Sequence, residues 1–243
     1  PGITATEYAD RRARFAAALP DAAMAVFPAA AQGFMSHDVP FPFHQDADLF
    51  YLSGFQEPQS MLACVRPGHG AAASWLLFVL PSDPQQAMWD GPRAGVLGAQ
   101  QHILPEGHVH AIESAQRILP QLLESHAIRT LLVNRTGAAS AMEALRPLVS
   151  ACELRRVQIV PSAPLVQRLR VRKSAAEARL MWRAGSIAAD AFVRAMASSL
   201  PAAKRGQIEA VLAARFEFEC RLAGAERLAY PCVVAGGGKA VTL

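Results

Sequence analysis

Side chains that can bind metal ions are concentrated around residue 40 of this 243-residue chain. Carboxylate and imidazole groups are common ligands of divalent ions, and two side chains spaced two apart point to the same side of an extended segment. The chain offers both features at His37, Asp38, His44, Asp46 and Asp48. These residue types leave two interpretations: a metal site, or a segment whose polar side chains serve the protein's own structure.

Three histidines, His102, His108 and His110, form a second group of possible ligands. Gly107 lies among them, and a glycine between polar residues is typical of a surface loop. We therefore interpret this stretch as a loop with solvated histidines in preference to a metal site. A large rise in thermal stability on adding zinc or manganese would contradict that choice for both groups.

Four cysteines are spread widely along the chain, at Cys64, Cys152, Cys220 and Cys232. Because no two of them form a Cys-X-X-Cys pair, their spacing indicates neither a zinc knuckle nor a dithiol redox site. Free cysteine is among the residue types most often found buried. We expect buried free thiols in a reducing compartment.

The composition favours a folded, soluble protein. Hydrophobic residues make up 52% of the chain and charged residues 18%, which suits a packed core and is unlike a disordered segment. The net charge is +4, but the basic residues alternate with alanine, leucine and glutamate, so a nucleic-acid partner is disfavoured. No apolar run approaches the length of a membrane span, and we expect no membrane partner.

The first half of the chain alternates short apolar runs with amphipathic stretches, a pattern typical of a sheet covered by helices. Apolar runs bounded by Pro, Gly or Ser predict strands at residues 24–27, 61–65, 75–80 and 128–134. Helical spacing predicts helices at residues 7–19, 114–125 and 138–150. The predicted fold class is therefore α/β, with a first domain at residues 1–160.

The character of the chain changes after this domain to longer helices, and we place a junction at residues 161–173. Ser174 and Glu177 form a capping box, in which each side chain binds the other residue's backbone amide, so a helix should start there. Apolar residues then recur at three- and four-residue spacing up to Pro201. We expect this proline to stop the helix.

A further helix is predicted at residues 205–222, and Gly224 is placed to end it in the left-handed conformation. Residues 228–234 predict a strand that enters a glycine triplet at residues 236–238. A strand needs partners for its backbone groups, and the sequence that follows supplies none. We therefore expect residues 174–243 to be the incomplete start of a second domain.

FHQDADLFYLSGFQEP at residues 43–58 is the longest of several stretches that, in this order, resemble the Xaa-Pro aminopeptidases of bacteria and organelles. The resemblance is strongest to the mitochondrial aminopeptidase P-like enzymes that include the intermediate-cleaving peptidases. Residues 43–58 are similar to the hallmark segment of that family's amino-terminal domain. The others are MWDGPR at residues 88–93, LRVRKSAAE at residues 169–177, FEFEC at residues 216–220 and AYPCVVAGGG at residues 229–238. Together they extend the resemblance over nearly the whole chain.

The resemblance implies a creatinase-type α/β domain, with a mixed sheet and flanking helices, followed by the truncated start of a pita-bread α+β catalytic domain. In that family the catalytic domain binds two divalent ions, usually Mn²⁺, and removes an amino-terminal residue that precedes proline. The resemblance also implies a peptide substrate with proline in second position, homo-oligomer contacts through the amino-terminal domain, and a mitochondrial or other organellar location. Two other functions stay open: an interaction module that assembles with full-length subunits, and a pseudoenzyme with a binding role.

The family's metal ligands are two Asp, one His and two Glu, and the expected positions have no counterparts in this chain. Its last histidine is His126, and no Asp, Glu or His follows Glu226. Two metal ions activate a bridging water only where side chains hold them. We therefore expect no bound metal and no peptidase activity from this chain alone. By the same resemblance, residues 43–58 serve structure and the approach of substrate.

Two residues match positions of the family that lie near the substrate. Tyr230 matches a tyrosine near the metal site, and the alternative is a half-buried aromatic residue on a strand. Trp89 matches a position near the substrate entrance, and the alternative is a packing anchor beside Gly91 and Pro92. We assign no catalytic residue in this chain.

Overall fold

The structure is a computed structural model that describes residues 2–68, 70–134, 143–204 and 209–240. Contacts between residues divide the chain into two compact units, Ile3–Arg172 and Lys173–Leu243. The predicted helices at residues 138–150 and 205–222 lie partly outside the described ranges. None of the helices in those ranges is long and apolar enough to cross a membrane.

A six-stranded mixed sheet forms the middle of the first unit. Its strands are β1 (Ala23–Pro28), β4 (Met61–Arg66), β5 (Ser74–Val79), β6 (His108–Ala111), β7 (Thr130–Val133) and β8 (Gln158–Val160), and a separate hairpin consists of β2 (Phe34–Ser36) and β3 (Val39–Pro40). The order across the sheet is β6-β5-β4-β1-β7-β8. Strand β4 is antiparallel to both of its neighbours, and the other neighbouring pairs are parallel. The predicted α/β fold with a mixed sheet is confirmed.

Helices cover both faces of this sheet, because its central strands are apolar on both sides. In β1, Ala25 and Phe27 belong to one core and Met24 and Val26 to the other. The first core is closed by α1 (Ala5–Ala18), α2 (Ala47–Ser53), α4 (Gly95–His102) and α7 (Ala163–Val171), and the second by α5 (Ala115–Ser125) and α6 (Arg146–Leu154). Helix α3 (Pro84–Asp90) buries none of its residues.

The stretch that we interpreted as a histidine-rich loop is a strand in its second half. His108–Ala111 forms β6, which pairs in parallel with β5, and Val109 is buried in the first core. The loop interpretation is therefore wrong for His108 and His110. The backbone partners of β6 lie far away in sequence, so the local residues reveal only the turn at Gly107.

The second unit, taken by itself, begins with two helices. In front of α8 (Ala175–Lys204), Ser174 N donates to Glu177 Oε2 (2.8 Å) and Glu177 N donates to Ser174 Oγ (3.1 Å), which confirms the capping box. The predicted stop at Pro201 is wrong, because a proline in the last turn removes one backbone donor and leaves the earlier turns intact. After α9 (Glu209–Leu222), Gly224 has a φ of 93°, as predicted.

The predicted strand at residues 228–234 is wrong for this structure, since the backbone there is irregular. A strand is defined by hydrogen bonds to a neighbouring strand, and the described part of the second unit contains no strand with which residues 228–234 could pair. The segment is held at its end by Gly236, whose amide donates to Glu209 Oε1 (3.2 Å), and a short 3₁₀ turn at Gly237–Lys239 follows.

Candidate functional site

Residues 43–58 contain the short helix α2, which our sequence analysis did not predict. Asp46 caps it: one carboxylate oxygen accepts the amides of Asp48 (3.0 Å) and Leu49 (2.9 Å). Gly54 ends it with a φ of 71°, and a Cβ at this position would lie 2.6 Å from the ring of Tyr8. Glycine is therefore required at this left-handed position. The Asp cap followed by a Gly was the local signal that the prediction missed.

The buried side chain of Gln45 binds both ends of this segment. Its Oε1 accepts the amides of Ala30 (3.1 Å) and Asp46 (2.8 Å), while its Nε2 donates to the carbonyl of Glu57 (3.0 Å). One side-chain amide thus satisfies three backbone groups. The segment is closed around α2 by these bonds.

Two arginines of α1 bind carbonyl groups at the carboxyl end of α2. Arg11 donates to the carbonyl of Tyr51 (3.1 Å) and Arg12 to that of Leu52 (2.9 Å). Arg12 is buried, and its charge is balanced by Glu106, whose Oε1 lies 2.7 Å from Arg12 Nε. Cations at this end of a helix also complement its dipole, so the arginines stabilise α2 in two ways.

At the amino end of α2, the buried carboxylate of Asp48 joins three elements. Its Oδ1 accepts a bond from Arg170 Nη1 (2.8 Å) and its Oδ2 from Asn134 Nδ2 (3.3 Å). Asn134 Oδ1 in turn accepts the amide of Ala163, the first residue of α7 (2.9 Å). Burial, together with the neighbouring Asp46, raises the pKa of Asp48 above its usual value, and the bonds from Arg170 and Asn134 offset this rise only in part.

Glu57 connects the end of the same segment to the loop that follows α3. Its Oε1 accepts the amide of Ala94 (2.8 Å). Helix α3 carries Met88 and Trp89 on the surface, and the side chain of Trp89 is 86% exposed. The alternative interpretation of Trp89 as a packing anchor is therefore wrong. An exposed indole on a tethered helix is suited to contact a ligand or another protein.

Tyr230 belongs to the second unit and is 74% exposed. Because it is neither half-buried nor on a strand, the alternative of a half-buried strand residue is wrong as well. Trp89 belongs to the first unit. Their roles near a substrate stay predictions.

Comparison with known proteins assigns the family. A family model described as "Aminopeptidase P, N-terminal domain" matches residues 8–132, which include all of α2, Gln45 and α3. The chain belongs to the aminopeptidase P family. The family resemblance that rested on residues 43–58 is thereby confirmed.

Curated relatives in the aminopeptidase P family match this chain along its whole length. Xaa-Pro aminopeptidase 3 of Mus musculus is 36% identical over 100% of the chain and 49% of its own length. Intermediate cleaving peptidase 55, mitochondrial, of Arabidopsis thaliana is 32% identical over 99% of the chain and 46% of its own length. The chain therefore spans about half the length of the curated relatives that it matches.

Solved structures of aminopeptidase P proteins share the fold. Icp55 from Saccharomyces cerevisiae has a TM-score of 0.76 and 26% identity, over 93% of this chain and 49% of its own. The low-pH form of aminopeptidase P from E. coli has a TM-score of 0.79 and 24% identity, over 92% of this chain and 50% of its own. A further E. coli structure is zinc-substituted and in complex with product.

The described residues do not fit the two-metal centre that the family resemblance implies. In residues 2–68, 70–134, 143–204 and 209–240, no group of three or more His, Cys, Asp or Glu side chains is placed to hold a metal ion. Near residue 40, Asp46 caps α2, Asp48 binds Arg170, and His44 Nδ1 lies 2.9 Å from the carbonyl of Gln45. These polar side chains bind other groups of the protein.

The second group of possible ligands lies in a positive environment. The rings of His108 and His110 stack with 6.5 Å between their centroids. Burial, with the nearby His108 and Arg117, lowers the pKa of His110. Arg117 is a fixed positive charge near His110, and it disfavours a further cation at this pair.

Proposed function

We propose that this chain is the amino-terminal part of a metal-dependent Xaa-Pro aminopeptidase, which releases the first residue of peptides that carry proline in second position. The observation that carries the proposal is the match of the entire chain to about half of the Mus musculus protein named Xaa-Pro aminopeptidase 3. The fold supports it, because aminopeptidase P from E. coli and Icp55 from Saccharomyces cerevisiae share it over more than nine-tenths of the chain.

In this proposal the first unit guides the substrate, and Trp89 lies near the entrance. Helix α3 supports this proposal, because it exposes Trp89 and because hydrogen bonds hold its first turn and the loop after its last residue. Asp83 caps its start through the amide of Gln85 (2.8 Å), and Glu57 holds the loop after its end. An indole can stack on the apolar ring of a proline. Tyr230 is the second residue that we propose near the substrate.

We assign two divalent ions, with Mn²⁺ preferred, to residues outside this chain. The described residues offer no site for them, and a bound ion needs carboxylate or imidazole ligands. Residues 174–243 would then form the opening of the catalytic domain, after a first domain at 1–160 and a junction at 161–173. The chain alone would be inactive as a peptidase.

Two assays with an Xaa-Pro-Xaa tripeptide and Mn²⁺ test this proposal. The purified chain should release no amino-terminal residue. The chain joined to the part of Mus musculus Xaa-Pro aminopeptidase 3 that it does not cover should release it, and a chelator should stop the release. Release by the chain alone would contradict the proposal. So would inactivity of a joined protein that circular dichroism shows to be folded.

Homo-oligomer formation through the first unit is a second proposed function, supported by the exposed β2–β3 hairpin. Phe34, Met35 and Phe41 are large apolar residues on its surface. Large apolar side chains exposed together on one short hairpin favour a protein–protein contact. Sedimentation of the chain should show association that Met35→Glu abolishes, and monomeric behaviour of both proteins would contradict it.

A mitochondrial or other organellar location is the final part of the proposal. Its support is the Arabidopsis thaliana relative, whose name includes the word mitochondrial. Imaging of the tagged full gene product beside a mitochondrial dye tests it. A diffuse signal through the cell would contradict it.

A further inference from the structure

Helix α7 ends one residue before the boundary of the first unit. The side chains of Asn134 and Asp48 together hold both of its ends. At its start, Ala163 N donates to Asn134 Oδ1 (2.9 Å), and in its last turn Arg170 donates to Asp48 Oδ1 (2.8 Å). Asn134 and Asp48 are themselves joined, Nδ2 to Oδ2, at 3.3 Å. The pair thus forms a bridge along the helix.

We propose that Asp48 and Asn134 act as a clamp that fixes the direction in which the chain leaves the first unit, and that the clamp serves positioning more than stability. This inference goes beyond the proposed function, because it concerns α7 and does not depend on peptidase activity.

The packing of α7 explains why polar contacts are needed to position it. Val166 is its one fully buried residue in the described structure, with Leu165 and Leu169 partly buried beside it. Apolar contacts are not directional, and these three, confined to residues 165–169, leave the ends of the helix free to tilt. The nine residues of α7 span roughly 13 Å, so contacts at both ends define its axis.

The burial of Asp48 argues against a large gain in stability from the ion pair. The side chain of Asp48 is 10% exposed, whereas that of Arg170 is 41% exposed. The cost of moving a carboxylate out of water offsets the attraction of a partly solvated partner. Replacement by Asn removes the charge but also converts one acceptor into a donor. Asp48→Asn can therefore retain Arg170 or Asn134 as a partner, but not both.

Hydrogen exchange of the full chain, read by mass spectrometry, tests the clamp. In Asp48→Asn and in Arg170→Met, amides in the last turn of α7 should exchange about tenfold faster, while those of α5 stay unchanged. The thermal midpoint of Asp48→Asn should move by less than about 3 °C, whereas Arg170→Met leaves a buried carboxylate without its cation and should lower the midpoint further. Arg170→Lys should recover part of the protection, since it keeps a charged donor. Arg146→Met is the matched control, because it breaks an ion pair with Glu143 in which both partners are exposed.

Three results would overturn the inference. Unchanged exchange in α7 for both variants would show that the clamp does not hold the helix. Equal acceleration in α7 and α5, or a larger fall in the thermal midpoint of Asp48→Asn, would show that the pair stabilises the whole unit and does not serve positioning.

Discussion

Gln45 donates its side-chain amide to the main-chain carbonyl of Glu57, and this bond of 3.0 Å joins the two ends of residues 43–58. The amide oxygen of Gln45 accepts two backbone amides at the same time. Buried backbone groups must find partners inside the protein. A single side chain therefore supplies the partners that a short helix and its two flanking loops cannot supply for themselves.

We predict that Gln45→Ala lowers the free energy of unfolding by about 2–4 kcal/mol, because it leaves the part-buried backbone amides of Ala30 and Asp46 without their acceptor. Gln45→Glu should also destabilise, since a carboxylate cannot donate to Glu57. Urea denaturation followed by circular dichroism measures both losses. Gln85→Ala, at an exposed position of α3, is the control and should cost less than about 0.5 kcal/mol. An equally small loss for Gln45→Ala would contradict the prediction.

The sheet of the first unit could be predicted because its central strands are continuous apolar runs. Strands β1, β4 and β5 are buried on both faces, and a run of four or more apolar residues is a local signal. Helix α2 has seven residues and depends on contacts made by Arg11 and Arg12 from α1. Such contacts are tertiary, so apolar periodicity missed this helix.

The candidate site was less predictable than the sheet. Local rules favoured a packed Trp89, since Trp beside Gly and Pro is often a packing anchor. Among the described residues, however, none covers this side chain on α3. The bond between Asp48 and Arg170 joins residues 122 positions apart, and no local pattern encodes it. The stretches that resemble the family include Trp89, Asp48 and Arg170, but the resemblance does not give their geometry.

The contrasting environments of two tryptophans give a second prediction. Trp89→Ala should change the free energy of unfolding by less than about 0.5 kcal/mol, because the side chain is exposed. Trp75→Ala should cost about 3–5 kcal/mol, because Trp75 is 6% exposed in the core and packs near Phe15 with 5.7 Å between ring centroids. Thermal unfolding of both variants measures the difference. A large loss from Trp89→Ala would show that α3 is covered.

Thiol reactivity gives a third prediction. Burial raises the pKa of Cys152 to about 11 and also raises the pKa of Cys64 and Cys220. Thiolates are the reactive form, so these three thiols should react slowly with a disulfide reagent in the folded protein. Cys232 is only partly buried and should react first. The absorbance of the group that the reagent releases measures how many thiols react. One thiol per chain should react fast, and Cys232→Ser should remove this fast reaction. A fast reaction that remains in Cys232→Ser would contradict the prediction.

The pH dependence of stability should report on the balance of forces at Asp48. Burial and Asp46 raise its pKa in the folded protein more than Arg170 lowers it, so the folded state binds the proton more tightly than the unfolded state. The stabilising contribution of this proton is present below the unfolded pKa and is lost as pH rises through the folded pKa.

The free energy of unfolding of the natural chain, minus that of Asp48→Asn, should therefore fall as the pH rises above about 4, the ordinary pKa of an aspartate. Urea denaturation at a series of pH values measures it, and Asp10→Asn, at an exposed position, gives the background. A difference that rises with pH would mean that the attraction of Arg170 exceeds the cost of burial. The carboxylate would then be held for stability, and the positioning role of the clamp would lose its physical basis.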